Sequence, residues 1–160
     1  MTQPTPDDAA PAGFDLVAAV AALFAEVSTL SLATVDAAGR AHAANLYVAR
    51  EDGGALLFVS DPASAHSRHV AEHPDVAATA YVATTDWQRL RGVQLHGRCE
   101  PIGPGEADAA WEVYLRRFAE VAEMKPLIDR QQFYRITPTW LRYIDNRICF
   151  RFRRERHVFE

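Results

Sequence analysis

The sequence predicts a mainly β (α+β) fold, a small closed or split β-barrel of about six to seven antiparallel strands with flanking helices. Two observations predict it. Short apolar segments rich in β-branched residues recur along the chain, separated by polar turns such as DAAGR at 36–40 and EDGG at 51–54. Helical periodicity, in contrast, is confined to three stretches. A barrel suits such strands because closure removes unpaired sheet edges, and an α+β sandwich with the helices on one face is the alternative.

The first part of the chain predicts one helix followed by three strands. Apolar residues spaced three or four apart over 14–27 are typical of an amphipathic helix. Segments 28–35, 41–50 and 55–60 read as strands, and Gly39 in the first turn can adopt a positive φ. Two short turns between three strands indicate an antiparallel meander.

The second part alternates short helices with strands. A helix is predicted before Pro74, which ends it, and a second amphipathic helix follows the Gly103-Pro104-Gly105 break. Predicted strands carry the sequences DVAATAYVAT, RGVQLHGRCEPI and FYRITPTWLRYID, the last as one or two strands, and FRFRRERHVF forms a last edge strand or a mobile arm. In the middle strand, Val93 and Leu95 face one side of the sheet and Gln94 the other.

Length and composition favour one domain in a soluble protein. We expect a disordered leader at 1–12, a barrel domain at 13–146 and a basic C-terminal strand or arm at 147–160. The polar N-terminus lacks a signal-peptide pattern and no apolar run approaches the roughly 20 residues of a membrane span, so we expect a cytoplasmic location and no membrane partner.

Charge and cysteine content exclude several chemistries. The net charge is −4, but from Arg142 onward six arginines face three acids. Because the remainder is acidic, we expect no nucleic-acid partner. The only lysine is Lys125, which excludes a lysine Schiff base in the first hundred residues. Cys99 and Cys149 have no metal-type spacing and are interpreted as packing residues.

The segment ALLFVSDPASAHSRHVAEHPDV at 55–76 predicts an anion site. A strand that leads into a helix leaves unpaired backbone N–H groups and a partial positive charge beside the hydroxyls of Ser64 and Ser67, and a phosphate ester can use both. His66 and Arg68 add basic side chains. The alternative is that these residues only cap and solvate a surface helix.

Four segments in order resemble the FMN-binding split-barrel superfamily that includes pyridoxamine 5'-phosphate oxidase, in a branch of small bacterial proteins. They are STLSLATVDAAGRAHAANLYVA, LLFVSDPASAHSRHVAEHPDVAATAYV, GVQLHGRCEPI and YRITPTWLRYIDN, within about 26–146. The resemblance implies that FMN lies at the interface of a homodimer. It also implies that the phosphate lies after the third strand and at the start of the short helix, with the flavin ring against the second and third strands.

The resemblance also implies which residues contact the cofactor. Second-strand positions beside the ring correspond to Ala44, Asn45 and Leu46, and the third-strand end corresponds to Val59 and Ser60. At the helix start, Ser64, Ala65 and His66 correspond to a Ser-Arg-Lys segment of the oxidases, and Ser67 and Arg68 beside them are also predicted to contact the cofactor. Gln94 lies on the same strand face as a family glutamine, two residues before that position. A plain cross-strand hydrogen bond is the alternative role for Asn45 and Gln94. No catalytic residue is assigned.

This chain departs from the oxidases at the phosphate. Where they carry an arginine-lysine pair, it has Ala65 and His66, and Arg68 one helical step on can compensate. Their substrate-phosphate residues and C-terminal tryptophan-arginine signature have no match. We therefore predict an FMN-dependent oxidoreductase that passes hydride or electrons between flavin and a nicotinamide cofactor or small organic molecule, and not a true pyridoxamine phosphate oxidase.

Three alternatives stay open. His66, His69 and His73 follow i, i+3, i+7 spacing, but no carboxylate or cysteine completes a metal site, which favours a solvated face. The same residues allow haem, because some split-barrel relatives bind haem through histidine. The second alternative is therefore a non-catalytic or differently loaded binding protein that holds haem, the deazaflavin F420 or no cofactor. The third alternative is a dimeric interaction module that uses the basic tail.

Overall fold

The computed structural model describes residues 10–128 and 131–158, which form an antiparallel sheet flanked by helices. The helices are α1 (Leu16–Glu26), α2 (Ala65–Glu72), α3 (Ala107–Arg117) and α4 (Lys125–Ile128). The strands are β1 (Thr29–Val35), β2 (Ala41–Tyr47), β3 (Ala49–Arg50), β4 (Leu56–Ser60), β5 (Asp75–Tyr81), β6 (Arg91–Pro101), β7 (Gln132–Asp145) and β8 (Arg153–His157). The segments Trp87–Arg89, Pro104–Glu106 and Ala119–Met124 are 3₁₀ helices.

The sheet closes on itself through one bent strand. Its order is β2-β1-β5-β6-β7-β4-β3, with β8 added beside β7. β2 and β3 are two halves of one strand interrupted at Val48, whose N–H donates to the Ser28 carbonyl (2.9 Å). Since β2 pairs with β1 and β3 pairs with β4, the bend joins the two ends of the sheet. The predicted split-barrel class with flanking helices is confirmed.

Strand β7 is a single long strand that serves two parts of the sheet. Its first residues pair with β4 and its last residues with β8. The register against β6 shifts between His96 and Gly97, whose partners are Trp140 and Pro138, so Thr139 is the extra residue of a β-bulge. Glycine is required at position 97, because a Cβ there would lie 2.4 Å from the Thr137 carbonyl oxygen.

Two apolar cores hold the elements together. The larger fills the barrel with fully buried side chains such as Leu32 and Phe58, and α1 and α2 add to it through residues such as Leu23 and Val70. The smaller lies between α3 and the outer side of β3, β4 and β7. Its members are Ala49, Leu57, Ile102, Ala110, Tyr114, Phe118 and Phe133. Strand β4 is therefore buried on both faces.

Two helix predictions need correction. The helix predicted from 14 begins at Leu16, because Asp15 caps it by accepting the N–H groups of Val17 (2.8 Å) and Ala18 (3.1 Å). The second amphipathic helix, predicted to follow the Gly103-Pro104-Gly105 break and to run on to 124, ends at Arg117. Phe118 leaves the helical conformation with φ −132° and ψ 70°, and a 3₁₀ segment follows.

Most of the predicted leader lies outside the described residues, since the structure describes the chain from residue 10. Within the described part of the chain, no helix is long and apolar enough to cross a membrane.

Candidate functional site

The junction between β4 and α2 brings three hydroxyls and one imidazole together. His66 Nε2 lies 2.6 Å from Ser60 Oγ and 3.1 Å from Ser64 Oγ. Ser64 Oγ donates to Ser67 Oγ (2.8 Å) and accepts the Ser67 N–H (3.3 Å), so Ser64 is the N-cap of α2. Ser60 and Ser64 Oγ are 3.3 Å apart. We call these four residues the hydroxyl cluster.

The hydroxyl cluster carries little positive charge. Burial lowers the pKa of His66 below its usual 6.5, and the nearby charge of His69 lowers it further, so the imidazole is mainly neutral at pH 7. Arg68 is exposed, and its Nη1 donates to the Ala63 carbonyl in the turn before the helix. Ala65 and His66, in the first turn of α2, have no intrahelical acceptor for their backbone N–H groups. The junction therefore offers hydrogen-bond donors to an anion, with Arg68 as the nearby permanent charge.

His69 anchors α2 to the barrel. Its Nδ1 lies 3.0 Å from the hydroxyl of buried Thr34, and its ring lies 4.5 Å from that of His42. His42 Nε2 is 3.1 Å from Asp36 Oδ2. The pKa of Asp36 is held well below its usual range, first by the backbone N–H of Arg40 and then by His42.

The interpretation of the α2 histidines as a solvated face needs correction, because His66 and His69 are half-buried and their rings have partners. His73 is exposed and caps the helix C-terminus. Among the residues that the structure describes, no group of three or more His, Cys, Asp or Glu side chains is placed to hold a metal ion.

A second set of polar residues crosses the outer face of the sheet, the face that points away from the barrel core. One cross-strand row, here called the polar row, runs from β2 to β8 through directly paired residues. Its members are Asn45, Ser31, Thr79, Gln94, Arg142 and Glu155. Ser31 Oγ donates to Asn45 Oδ1 (2.8 Å), and Arg142 bonds Gln94 Oε1 (3.4 Å) and Glu155 Oε1 (2.7 Å).

The adjacent row, here called the alanine row, has alanines on its first three strands. It contains Ala43, Ala33, Ala77, His96, Trp140 and His157. The alanines leave a flat floor, and the paired rings of His96 and Trp140, 4.8 Å apart, rise beside it. The Arg142 guanidinium lies over the Trp140 ring at 5.1 Å. The central members of the two rows, from Ser31 and Ala43 to Trp140 and Arg142, line a groove of about 610 Å³.

The cofactor-contact residues predicted from the sequence fall into different environments. Ser60, Ser64, His66 and Ser67 form the hydroxyl cluster. Two others, Asn45 and Gln94, lie exposed in the polar row. The remaining apolar positions point inward, with Leu46 buried in the barrel core, Ala44 packed against it, and Val59 packed beneath α3. A ligand would meet Leu46 only through its backbone.

Sequence reasoning missed the residues that link the predicted ones. Ser31 and Thr79 connect Asn45 to Gln94 across the sheet, and His96 and Trp140 build the wall of the groove. The pairing of His96 with Trp140 was not predicted. These residues could not be found from the sequence because it does not show which strands pair. In the sheet, β5 lies between β1 and β6, and this order brings the linking residues together.

Comparison with known proteins places the chain in a family context. A family model described as pyridoxamine 5'-phosphate oxidase matches residues 16–145. The pyridoxine/pyridoxamine 5'-phosphate oxidase of Pseudomonas entomophila is 35% identical over 89 residues, which cover 55% of this chain and 39% of the relative. The chain therefore matches about two fifths of that relative's length.

Solved structures share the fold at low sequence identity. A haem-binding protein from Mycobacterium smegmatis superposes with a TM-score of 0.72 at 18% identity, over 99% of this chain and 60% of the other. An FAD-binding protein from Mesorhizobium loti gives a TM-score of 0.64 at 15% identity, over 80% and 92% of the two chains.

Proposed function

The chain belongs to the pyridoxamine 5'-phosphate oxidase family, and on that premise we propose that it binds FMN non-covalently as an oxidoreductase. The observation that carries the proposal is the hydroxyl cluster, in which Ser60, Ser64, Ser67 and His66 converge at the first turn of α2. Hydroxyls, an imidazole and free helix N–H groups are suitable donors for a phosphate monoester.

The residues fit a phosphate through hydrogen bonds more than through charge. The hydroxyls now bond each other and His66 at 2.6–3.3 Å, and a phosphate oxygen would replace those mutual contacts. Arg68 is exposed, and among the described residues its guanidinium bonds only the Ala63 carbonyl, so it can turn toward the anion. We therefore expect weaker phosphate binding than an arginine-lysine pair would give.

The outer face supports a homodimer with the flavin ring between the subunits. An alanine floor accepts a planar ring or a closely approaching sheet. Gln94 in the groove and Asn45 beside it offer amide groups to the polar edge of a ring. Tyr47 and Tyr81 are 63% and 57% exposed on the same face. Exposed aromatic side chains around an apolar floor are typical of a surface that a partner covers.

The bound flavin would supply hydride and electron transfer. The protein would hold the phosphate at α2, orient the ring against the outer face and exclude water through the partner subunit. None of these roles requires an acid or base from the chain. A nicotinamide cofactor or another small organic molecule is the proposed electron donor or acceptor, and turnover of pyridoxamine 5'-phosphate is not expected.

The test is to identify the cofactor that co-purifies. Protein purified under mild conditions should show a flavin absorption band and release a molecule with the mass of FMN, and added FMN should lose fluorescence on binding. If no flavin co-purifies and added FMN is not quenched, the proposal is wrong. A mass matching F420 would keep the fold and site but replace the cofactor.

Haem is the second candidate, favoured by the fold shared with a haem-binding protein. His66 and His69 each use a ring nitrogen for a side-chain contact, so a haem ligand from α2 would have to give up a contact or use the other nitrogen. A Soret band lost in His66→Ala or His69→Ala would support haem bound through α2. Unchanged spectra in both variants would exclude it.

A further inference from the structure

Three arginines line a cleft beside β3, between α1 and α3. Arg50 comes from β3, and Arg116 and Arg117 come from the last turn of α3. The cleft lies between α1 and α3, has a volume of about 260 Å³, and takes apolar walls from Phe24 and Val113. None of these residues belongs to the hydroxyl cluster or to the outer face.

Two of the three guanidinium groups have a buried N–H without an acceptor. The Nε atoms of Arg50 and Arg117 are both shielded from solvent, and neither has a hydrogen-bond partner among the described residues. Arg117 uses its Nη2 to donate to Ser28 Oγ (2.9 Å), which fixes the side chain without satisfying Nε. Buried donors are normally paired, and an unpaired one indicates a missing acceptor such as water or an ion.

The arginines of the cleft also lack carboxylate partners within the described part of the chain. No Asp or Glu oxygen there lies within ion-pair distance of Arg50, Arg116 or Arg117, whereas Arg135 bonds both Glu51 and Glu106. Exposed Asp52 lines the cleft and offsets one charge, so an excess of positive charge remains. Arg116 and Arg117 lie at the C-terminus of α3, where a positive charge interacts favourably with the helix dipole. That interaction does not account for the unpaired Nε atoms of Arg50 and Arg117, or for the presence of Arg50 in the cleft.

We propose that this cleft binds a small molecule through an oxyanion, a phosphate or a carboxylate group. The planar guanidinium fork matches either anion with two parallel hydrogen bonds, and an incoming oxygen would satisfy the buried Nε atoms of Arg50 and Arg117. Phe24 and Val113 would contact the carbon part of the ligand. The site is separate from the flavin phosphate site proposed above, so the protein has two anion sites on different elements.

The test is a calorimetric titration of the full chain with inorganic phosphate and with succinate, in chloride at matched ionic strength. Wild type should bind at least one probe, and Arg50→Gln and Arg116→Gln should bind it about tenfold more weakly because each loses a charge-assisted bond. The tighter probe identifies the phosphate or the carboxylate class. Arg98→Gln, which removes an exposed arginine paired with Glu100, is the matched control and should bind like wild type.

Two further variants keep the test decisive. His66→Gln should weaken only the part of the phosphate response that comes from the hydroxyl cluster, and it should leave unchanged the part that Arg50→Gln removes. Arg50→Lys, which keeps the charge and loses the fork, should fold and still bind more weakly than wild type. The proposal is overturned if wild type binds neither probe, if Arg98→Gln weakens binding as much as Arg50→Gln, or if the response is lost in His66→Gln alone.

Discussion

Asn45 on β2 and Gln94 on β6 lie in the same cross-strand row, with only Ser31 and Thr79 between them. Both side chains are exposed on the outer face. Ser31 holds Asn45, and Arg142 holds Gln94, so each amide has one fixed contact and spare hydrogen-bonding capacity. The row therefore behaves as one polar strip beside the alanine floor, and its residues can be tested together as a surface.

Ala43→Arg should prevent dimer formation without unfolding the protein. Ala43 is exposed in the alanine row, so we expect the free energy of unfolding to change by about 0.5 kcal/mol or less. A long charged side chain on the floor would block a partner sheet. Light scattering after gel filtration measures the mass, and Ala71→Arg on the exposed side of α2 is the control. A dimer retained by Ala43→Arg would contradict the proposed interface.

The barrel could be predicted from the sequence because each strand is a short apolar segment bounded by polar turn residues, and both features are local. It could not predict the rows on the outer face. Those rows depend on β5 pairing with β1, which brings Thr79 beside Ser31, and on the bulge that brings Trp140 opposite His96. Local sequence does not encode such long-range register, whereas the hydroxyl cluster was predictable because its residues are close in sequence.

Ser64 should separate helix capping from phosphate binding. Ser64→Ala removes the cap of α2 and should lower the free energy of unfolding by about 1 kcal/mol. It should also weaken FMN binding, because one hydroxyl of the cluster is lost. Ser64→Asp keeps a capping oxygen at the positive end of the helix, so its stability should match wild type while its negative charge repels the phosphate. Urea unfolding and FMN fluorescence titration measure the two effects. Tight FMN binding by Ser64→Asp would exclude this junction as the phosphate site.

Gly97→Ala should be strongly destabilising. A methyl group at this position would lie 2.4 Å from the Thr137 carbonyl oxygen and 3.0 Å from Pro138 Cα, both backbone atoms of the paired strand. Relief requires the β6–β7 bulge to open, which we expect to cost about 2–3 kcal/mol by denaturant unfolding. Gly105→Ala is the control, since nothing lies within 4 Å of the added methyl and its φ is not positive. Equal stability of the two variants would show that the bulge adapts freely.

His66 should make the cofactor-free protein less stable in acid. Burial, and then the charge of His69, lower the pKa of His66 below 6.5 in the folded state. Between that lowered pKa and 6.5 the unfolded chain binds more protons at this residue than the folded chain does, so stability falls as pH decreases below about 6.5. The loss ends below the folded pKa. His66→Gln should remove this contribution in urea unfolding at pH 5 and pH 7.5, and an unchanged pH dependence would contradict it.

FMN affinity should change with pH in the opposite direction to the stability of the cofactor-free protein. The anion stabilises the imidazolium, so FMN affinity should rise as pH falls through the range in which His66 of the complex becomes protonated. Protonation of the phosphate itself, with a second pKa of about 6, opposes the trend. In His66→Gln only the titration of the phosphate remains. The ratio of wild-type to variant FMN affinity therefore measures the contribution of the His66 imidazole alone. If the ratio is the same at pH 5.5 and pH 8, His66 does not carry charge to the phosphate and the hydroxyls alone hold it.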